Sequence, residues 1–209
     1  MHPRATVLVF ARAPQPGRAK SRLVPRLGAS GAARLQARLT RRALRTAREA
    51  RCGPLELHGA PRRHGVLVRE ARRVGAALHA QRGADLGARM LHALRAALCR
   101  HGAAILIGTD CPVLRAADLR RAARALAAGD DAVFAPAEDG GYALIGVRRV
   151  SQHLFERITW GGAQVFSQTR ARLEALGWRW KALRTVWDVD RPQDLDRLRR
   201  ENLRARRSF

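Results

Sequence analysis

Lysine is almost missing from this chain: of 41 basic residues only Lys20 and Lys181 are lysines, and the rest are arginine. Acidic residues are scarce as well, 17 in all, which leaves a formal net charge of +24. Such an excess suggests nucleic acid or an anionic membrane first. The arginines, however, are scattered over every predicted helix instead of one stripe, as compositional drift leaves them. Specific nucleic-acid recognition is therefore not expected, whereas weak, salt-sensitive polyanion binding is. Cys52, Cys99 and Cys111 lack a paired ligand spacing, which argues against a disulfide framework or a zinc site and for a reducing, cytoplasmic setting. No run of about 18 apolar residues is present to span a membrane, and the apolar run at residues 6–11 is too short for a secretory leader. The seven histidines show no recurring ligand spacing and no Gly-x-Ser-x-Gly partner, against a zinc hydrolase or a serine triad. A Walker loop and a Gly-x-Gly-x-x-Gly turn are also missing.

What is present is an alternation of short apolar runs with longer Ala/Leu/Arg-rich amphipathic segments, the βαβα pattern of a largely parallel sheet. The length of 209 residues fits one α/β domain with a substantial core. Strands are predicted at 7–10, 55–58, 77–80, 103–107, 131–135 and 143–147, with a further one at an edge within 178–186. Helices are predicted over 30–50 with Ser30 as N-cap, over 85–100 with Leu86, Met90, Leu94 and Leu98 on one face, over 116–128 and 164–176, and from about Pro192.

The turns after the strands carry the chemistry. Phe10-Ala-Arg-Ala-Pro-Gln-Pro-Gly-Arg-Ala-Lys-Ser-Arg-Leu23 follows the first strand and gathers Arg12, Arg18, Lys20 and Arg22 around Gly17, with Ser21 as a hydroxyl donor. It reads as a cradle for a triphosphate or pyrophosphate, or as a solvated basic loop. In a chain that writes arginine almost everywhere, Lys20 suggests a place that a planar guanidinium does not fit. Gly108-Thr-Asp-Cys-Pro112 follows a fully apolar strand, so Asp110 is either a ligand for Mg²⁺ at the sheet's carboxyl edge or a turn cap.

Pro136-Ala-Glu-Asp-Gly-Gly-Tyr142 is a tight turn or a substrate contact. There Gly140 and Gly141 permit close backbone approach, and Glu138, Asp139 and Tyr142 stand beside them. Asp139 is the candidate to orient an acceptor hydroxyl. Asp85 heads a Gly-bearing loop as a phosphate contact or simply an N-cap. Near the C-terminus, Asp188, Asp190 and Asp194 cluster; Asp188 or Asp190 meets Asp110 across a metal if the last strand returns beside the central one. Asp190 is also a candidate cap for the last helix. Trp178, Trp180 and Trp187 are read as packing residues.

Taken in order, these blocks resemble a bacterial GT-A-type family of glycosyltransferase-like proteins of the selenodomain-associated transferase type. Asp85-Leu-Gly-x-Arg-Met90, Leu154-Phe155 with Trp160, and Asp188-Val-Asp-x-Pro-x-Asp-Leu195 join the three turns already quoted, so the resemblance runs through nearly the whole chain. It implies a nucleotide-diphospho-sugar transferase fold, a three-layer α/β/α sandwich with a mostly parallel sheet. It also implies a divalent cation, Mg²⁺ or Mn²⁺, on Asp110 and Asp190, with Asp188 the weaker candidate. Phosphates would lie at Arg12, Gly17, Lys20 and Arg22, and Trp160 on the acceptor side. Arg191 and Gly161-Gly162 depart from the family's usual Thr and hydroxyl residues there. The implied activity is glycosyl transfer from a nucleotide sugar or nucleotidyl transfer from a nucleoside triphosphate, with Lys20, Asp110 and Asp139 as catalytic candidates. A noncatalytic nucleotide- or polyanion-binding module is the alternative.

Overall fold

The computed structural model describes residues 4–207, with side chains through residue 201. Seven strands form one sheet in the order β3-β2-β1-β4-β6-β5-β7. In chain order they are β1 (Thr6–Arg12), β2 (Leu55–Ala60), β3 (Ala77–Ala80), β4 (Ala104–Ile107), β5 (Ala132–Pro136), β6 (Tyr142–Val147) and β7 (Trp180–Ala182). β1 is buried along six of its seven residues, because it pairs in parallel with β2 and β4 and both its faces are covered by helices. A continuous apolar run is what such a position demands.

The helices are α1 (Val24–Ala50), α2 (Gly65–Val74), α3 (Leu86–Leu98), α4 (Ala116–Ala127), α5 (Val165–Ala175) and α6 (Asp194–Arg207). α1, α2 and α4 bury Leu44, Leu67 and Leu119 on one face of the sheet, among Val7, Val9, Ile105 and Ile107. α3 and α5 bury Met90, Leu94 and Leu173 on the other, among Leu8, Leu106, Phe134 and Ile145. The result is an α/β/α sandwich. A third cluster, in which Leu195 and Leu198 of α6 meet Leu35 and Leu39 of α1, encloses Val189 and Trp187.

β6 runs antiparallel to both β4 and β5, since the five-residue turn after β5 is too short for the crossover a parallel neighbour requires; this agrees with the tight-turn reading of 136–142 in a mostly parallel sheet. Three expectations need correction. Between the strands expected at 55–58 and 77–80 no helix is predicted, yet α2 lies there; only Leu67, Glu70 and Ala71 of it are buried, so its exposed arginines hide the helical period. α1 is broken at Gly28 (φ 68) into a short turn from Val24, with Pro25 in it, and the long helix expected over 30–50. Ser30 lies just inside the first turn of that long helix and is not its N-cap. α6 starts at Asp194, two residues beyond Pro192.

Candidate active site

β1 and β4 lie side by side with Val9 opposite Ile107. The chain leaves β1 toward β2 on one side and arrives at β4 on the other. Loops that follow two such strands diverge, and the crevice between them is where open α/β sheets bind ligands. Both glycine- and proline-bearing turns singled out in the sequence start here.

The first loop is stiffened from within. Gln15 accepts the amides of Arg18 and Ala19 through its carbonyl at 3.1 and 3.0 Å, and Gly17 turns the chain at φ 75. Those two amides are thus committed to the loop itself, so the loop's cations must supply the charge for an anionic ligand. Arg12, Arg18, Ser21 and Arg22 are exposed, whereas Lys20 is buried. Its Nζ donates to the Val189 carbonyl at 2.5 Å, and stands 2.9 Å from Asp110 and 3.5 Å from Asp190. Arg22 pairs with the other Asp190 oxygen at 2.5 Å.

The carboxylates come from two elements brought together by the backbone: the Val189 amide donates to the Asp110 carbonyl at 2.9 Å. Asp110 is partly exposed, and the Thr109 hydroxyl lies 3.3 Å from its Oδ1. Thr109 in turn receives a hydrogen bond from the buried Gln36 amide of α1 at 3.0 Å. Sequence reading missed Gln36 and Thr109; a lone amide on the apolar stripe of α1 was the available signal. Asp194 accepts the amides of Asp190 and Arg191 at 2.9 and 2.7 Å. The cap therefore runs backward from Asp194, and the Asp190 side chain is left to Lys20 and Arg22.

Asp188, the weaker candidate in the sequence, is the carboxylate most altered by its surroundings. Burial, then the charges of Asp110 and Asp139, raise its pKa from 3.8 to about 7, against the easing effect of Lys20. Its Oδ1 is buried without a hydrogen-bond partner. The neighbouring Cys111 thiol is pushed up to about 12, chiefly by burial, so it is no nucleophile at neutral pH.

The Gly-Gly turn closes the other side. A Cβ on Gly140 (φ 88) would strike the Ala163 carbonyl oxygen, so only glycine lets this turn pack on the loop before α5. Asp139 accepts the Gly141 amide at 3.0 Å and is exposed. Glu138 is engaged by Arg197 of α6 at 2.6 and 2.8 Å, which lowers that carboxylate's pKa, first through hydrogen bonding. A cavity of about 200 Å³ is lined by Asp139, Gly141, Tyr142, Trp160 and Asp188, but not by Glu138 or Gly140. Burial drives the Tyr142 hydroxyl pKa upward, so it stays protonated. Asp85 caps α3 by accepting the Ala88 amide at 2.7 Å.

Asp110 and Asp188 suit a hard divalent cation. Mg²⁺ takes one or two carboxylates and completes its shell with water and substrate phosphate, and the unpartnered oxygen of Asp188 is a donor of the required kind. Among the described residues no group of three or more His, Cys, Asp or Glu side chains is arranged to hold a metal. The fit is to a substrate-completed site, not to a protein cage.

Comparison with solved structures places the fold. A candidate nucleotide-diphospho-sugar transferase from Desulfovibrio desulfuricans G20 is similar over 95% of this chain and 87% of its own, at 30% identity and a TM-score of 0.86. CMP:2-keto-3-deoxy-manno-octonic acid synthetase complexed with CTP is similar over 97% and 99%, at 12% identity and a TM-score of 0.61. Glucosyl-3-phosphoglycerate synthase from Mycobacterium tuberculosis, in a complex with Mn²⁺ and UDP, is similar over 91% and 74%, at 12% identity and a TM-score of 0.56. The last two show the fold alone: nucleotidyl and glycosyl transferases share this sandwich. A search of curated proteins gives no match. The family described as "Uncharacterized protein conserved in bacteria (DUF2064)" matches residues 43–162, more than half of the chain, and the protein belongs to that family.

Proposed function

We propose that this protein is a metal-assisted transferase that moves a glycosyl group from a nucleotide-diphospho-sugar to a hydroxyl acceptor. The observation that carries the reading is the convergence of Asp110 and the buried, partly unpartnered Asp188 beside Lys20. Asp110 and Asp188 hold the cation, which when bound offsets charge on the departing diphosphate. Asp190 keeps Lys20 and Arg22 aimed at the same place. Both cations exchange carboxylate oxygens for phosphate oxygens as donor binds, and Arg12, Arg18 and Ser21 add contacts from the exposed rim. Asp139 takes the proton of the acceptor hydroxyl as its oxygen bonds the anomeric carbon. The bond from that carbon to the diphosphate oxygen breaks, and its electron pair leaves on the phosphate. The likeness to the Desulfovibrio desulfuricans G20 structure, at 30% identity, supports this donor class.

Nucleotidyl transfer is the second reading, favoured by Lys20 itself. A single ammonium beside the Asp110–Asp188 carboxylates is suited to an α-phosphate under attack, with pyrophosphate leaving.

Differential scanning fluorimetry at moderate salt, with nucleotide sugars and nucleoside triphosphates in Mn²⁺ or chelator, tests the reading. A Mn²⁺-dependent rise in melting temperature with nucleotide sugars, lost in Asp110→Asn and Asp188→Asn, is expected. Release of nucleoside diphosphate marks glycosyl transfer, and release of pyrophosphate marks nucleotidyl transfer. Equal shifts in Mn²⁺ and chelator overturn the metal role, and binding without release of either product leaves a noncatalytic module.

A further inference from the structure

The cavity beside the carboxylates differs from the rest of the molecule. In a chain with 41 basic residues, no arginine, lysine or histidine lines it among the described residues. Its side-chain walls are Phe10, Met90, Leu106, Tyr142, Trp160 and Val165, and its charged lining groups are Asp139 and Asp188. At its rim stands Leu86, 44% exposed, the one large apolar side chain left in solvent among the described residues.

The walls are fixed. Trp160 lies against the first turn of α3, where a Cβ on Gly87 would come within 2.6 Å of its ring, and it stacks on Phe155 at 6.4 Å and 29°. A cavity of about 200 Å³ has room for one ring or a short branched chain; an apolar hole of about 150 Å³ takes benzene. A carboxylate or phosphate brought into it would lose water, gain no basic side chain from the walls, and face the Asp139 carboxylate, the cation on Asp110 and Asp188 being engaged by the donor diphosphate in the reading above. A polyol would leave most of its hydroxyls against carbon.

We propose that this cavity receives the apolar body of an uncharged, hydroxyl-bearing acceptor, its hydroxyl directed to Asp139, and that it rejects acceptors bearing carboxylate or phosphate. The role as acceptor rests on the transferase reading above; the chemical class of the ligand follows from the lining. Leu86 forms the apolar lip over which that body enters. Selectivity here is the reverse of what the +24 surface would favour.

Ligand-observed NMR on the full chain with benzyl alcohol, using benzoate and glycerol as competitors, tests it. Benzyl alcohol is expected to bind, and benzoate and glycerol to compete roughly tenfold less well than unlabelled benzyl alcohol. Leu86→Arg, at a position 44% exposed to solvent, and Trp160→Ala are each expected to weaken benzyl alcohol binding about fivefold. Equal competition by benzoate, or unchanged binding in Leu86→Arg, overturns the proposal. The metal-dependent nucleotide shift is read separately. Benzyl alcohol selectivity without that shift supports the cavity's ligand class and removes the transferase reading, whereas the shift without selectivity does the opposite.

Discussion

Lys20 sits in the left-handed backbone region at φ 51, a conformation that costs a side-chain-bearing residue about 1–2 kcal/mol. Its ammonium is anchored there by a carbonyl and two carboxylates, with the side chain 3% exposed. Strain held by surrounding contacts is common where a side chain must be aimed. A guanidinium has more atoms and a fixed plane, and this enclosure offers it no extra room. Lys20→Arg, nominally conservative, is therefore expected to lower stability in urea unfolding by about 2 kcal/mol and to abolish the Mn²⁺-dependent nucleotide shift. Arg22→Lys, at a side chain 65% exposed, is expected to change stability by less than about 0.5 kcal/mol. A Lys20→Arg variant as stable as its parent would show that composition alone explains the lysine. The rarity of lysine made residue 20 visible in the sequence. The different fates of Asp188 and Asp190 were not visible, because only the packing of Val189 into the third cluster decides which neighbour is buried and which meets Arg22.

Beyond the apolar clusters, elements are tied to one another by single buried carboxylates under arginine. Asp118, in the first turn of α4, is 1% exposed. It accepts the Arg115 amide at 2.9 Å and two bonds from Arg184, at 2.8 and 3.2 Å, while Arg184 also donates to the Val113 carbonyl at 2.6 Å. One carboxylate thus ties the start of α4 to the segment leading to Asp188 and to the loop after Asp110. Burial works to raise its pKa, but the bonds and charge of Arg184, with the Arg115 amide, outweigh it and leave the value below 3.8. Asp118→Asn is expected to cost about 2 kcal/mol at neutral pH, since it weakens the charge-assisted bonds from Arg184, whose own charge at 39% exposure stays partly solvated. The sign of the pH effect follows from linkage: the folded pKa is depressed, so the stabilisation is complete above the unfolded value and fades as pH falls through the folded one. Unfolding curves of parent and variant should converge only below about pH 4; a gap that stays constant through that range would assign the loss to packing. The Gly-bearing turns that carry the site were legible because glycine and proline punctuate sequence so clearly. The Asp118 clamp was not, because its partner stands 66 residues away.

Across the whole molecule, the alternation of apolar runs and amphipathic segments made the sandwich legible. The direction of β6 was legible only through the tight turn at 136–142, one of two readings of that segment, because a buried strand reads the same in either direction. Charge is the property that belongs to no single element. Seventeen acidic groups cannot pair 41 basic ones, and the pairs that form, such as Glu70 with Arg41 and Glu56 with Arg100, leave most arginines facing solvent and one another. Self-repulsion of this kind opposes the compact state and is screened by salt. The melting temperature should therefore rise as sodium chloride is increased from about 50 to about 200 mM, over which the Debye length falls to near 8 Å. Over the same range, binding of unrelated single-stranded RNAs, followed by fluorescence anisotropy, should fall steeply and equally for all sequences. The Mn²⁺-dependent nucleotide shift should survive at the upper end, because its contacts are made in a crevice between β1 and β4 and not by the surface field. If one RNA sequence keeps its affinity there while the nucleotide shift vanishes, the excess arginine is a binding surface after all, and the crevice is not where this protein does its work.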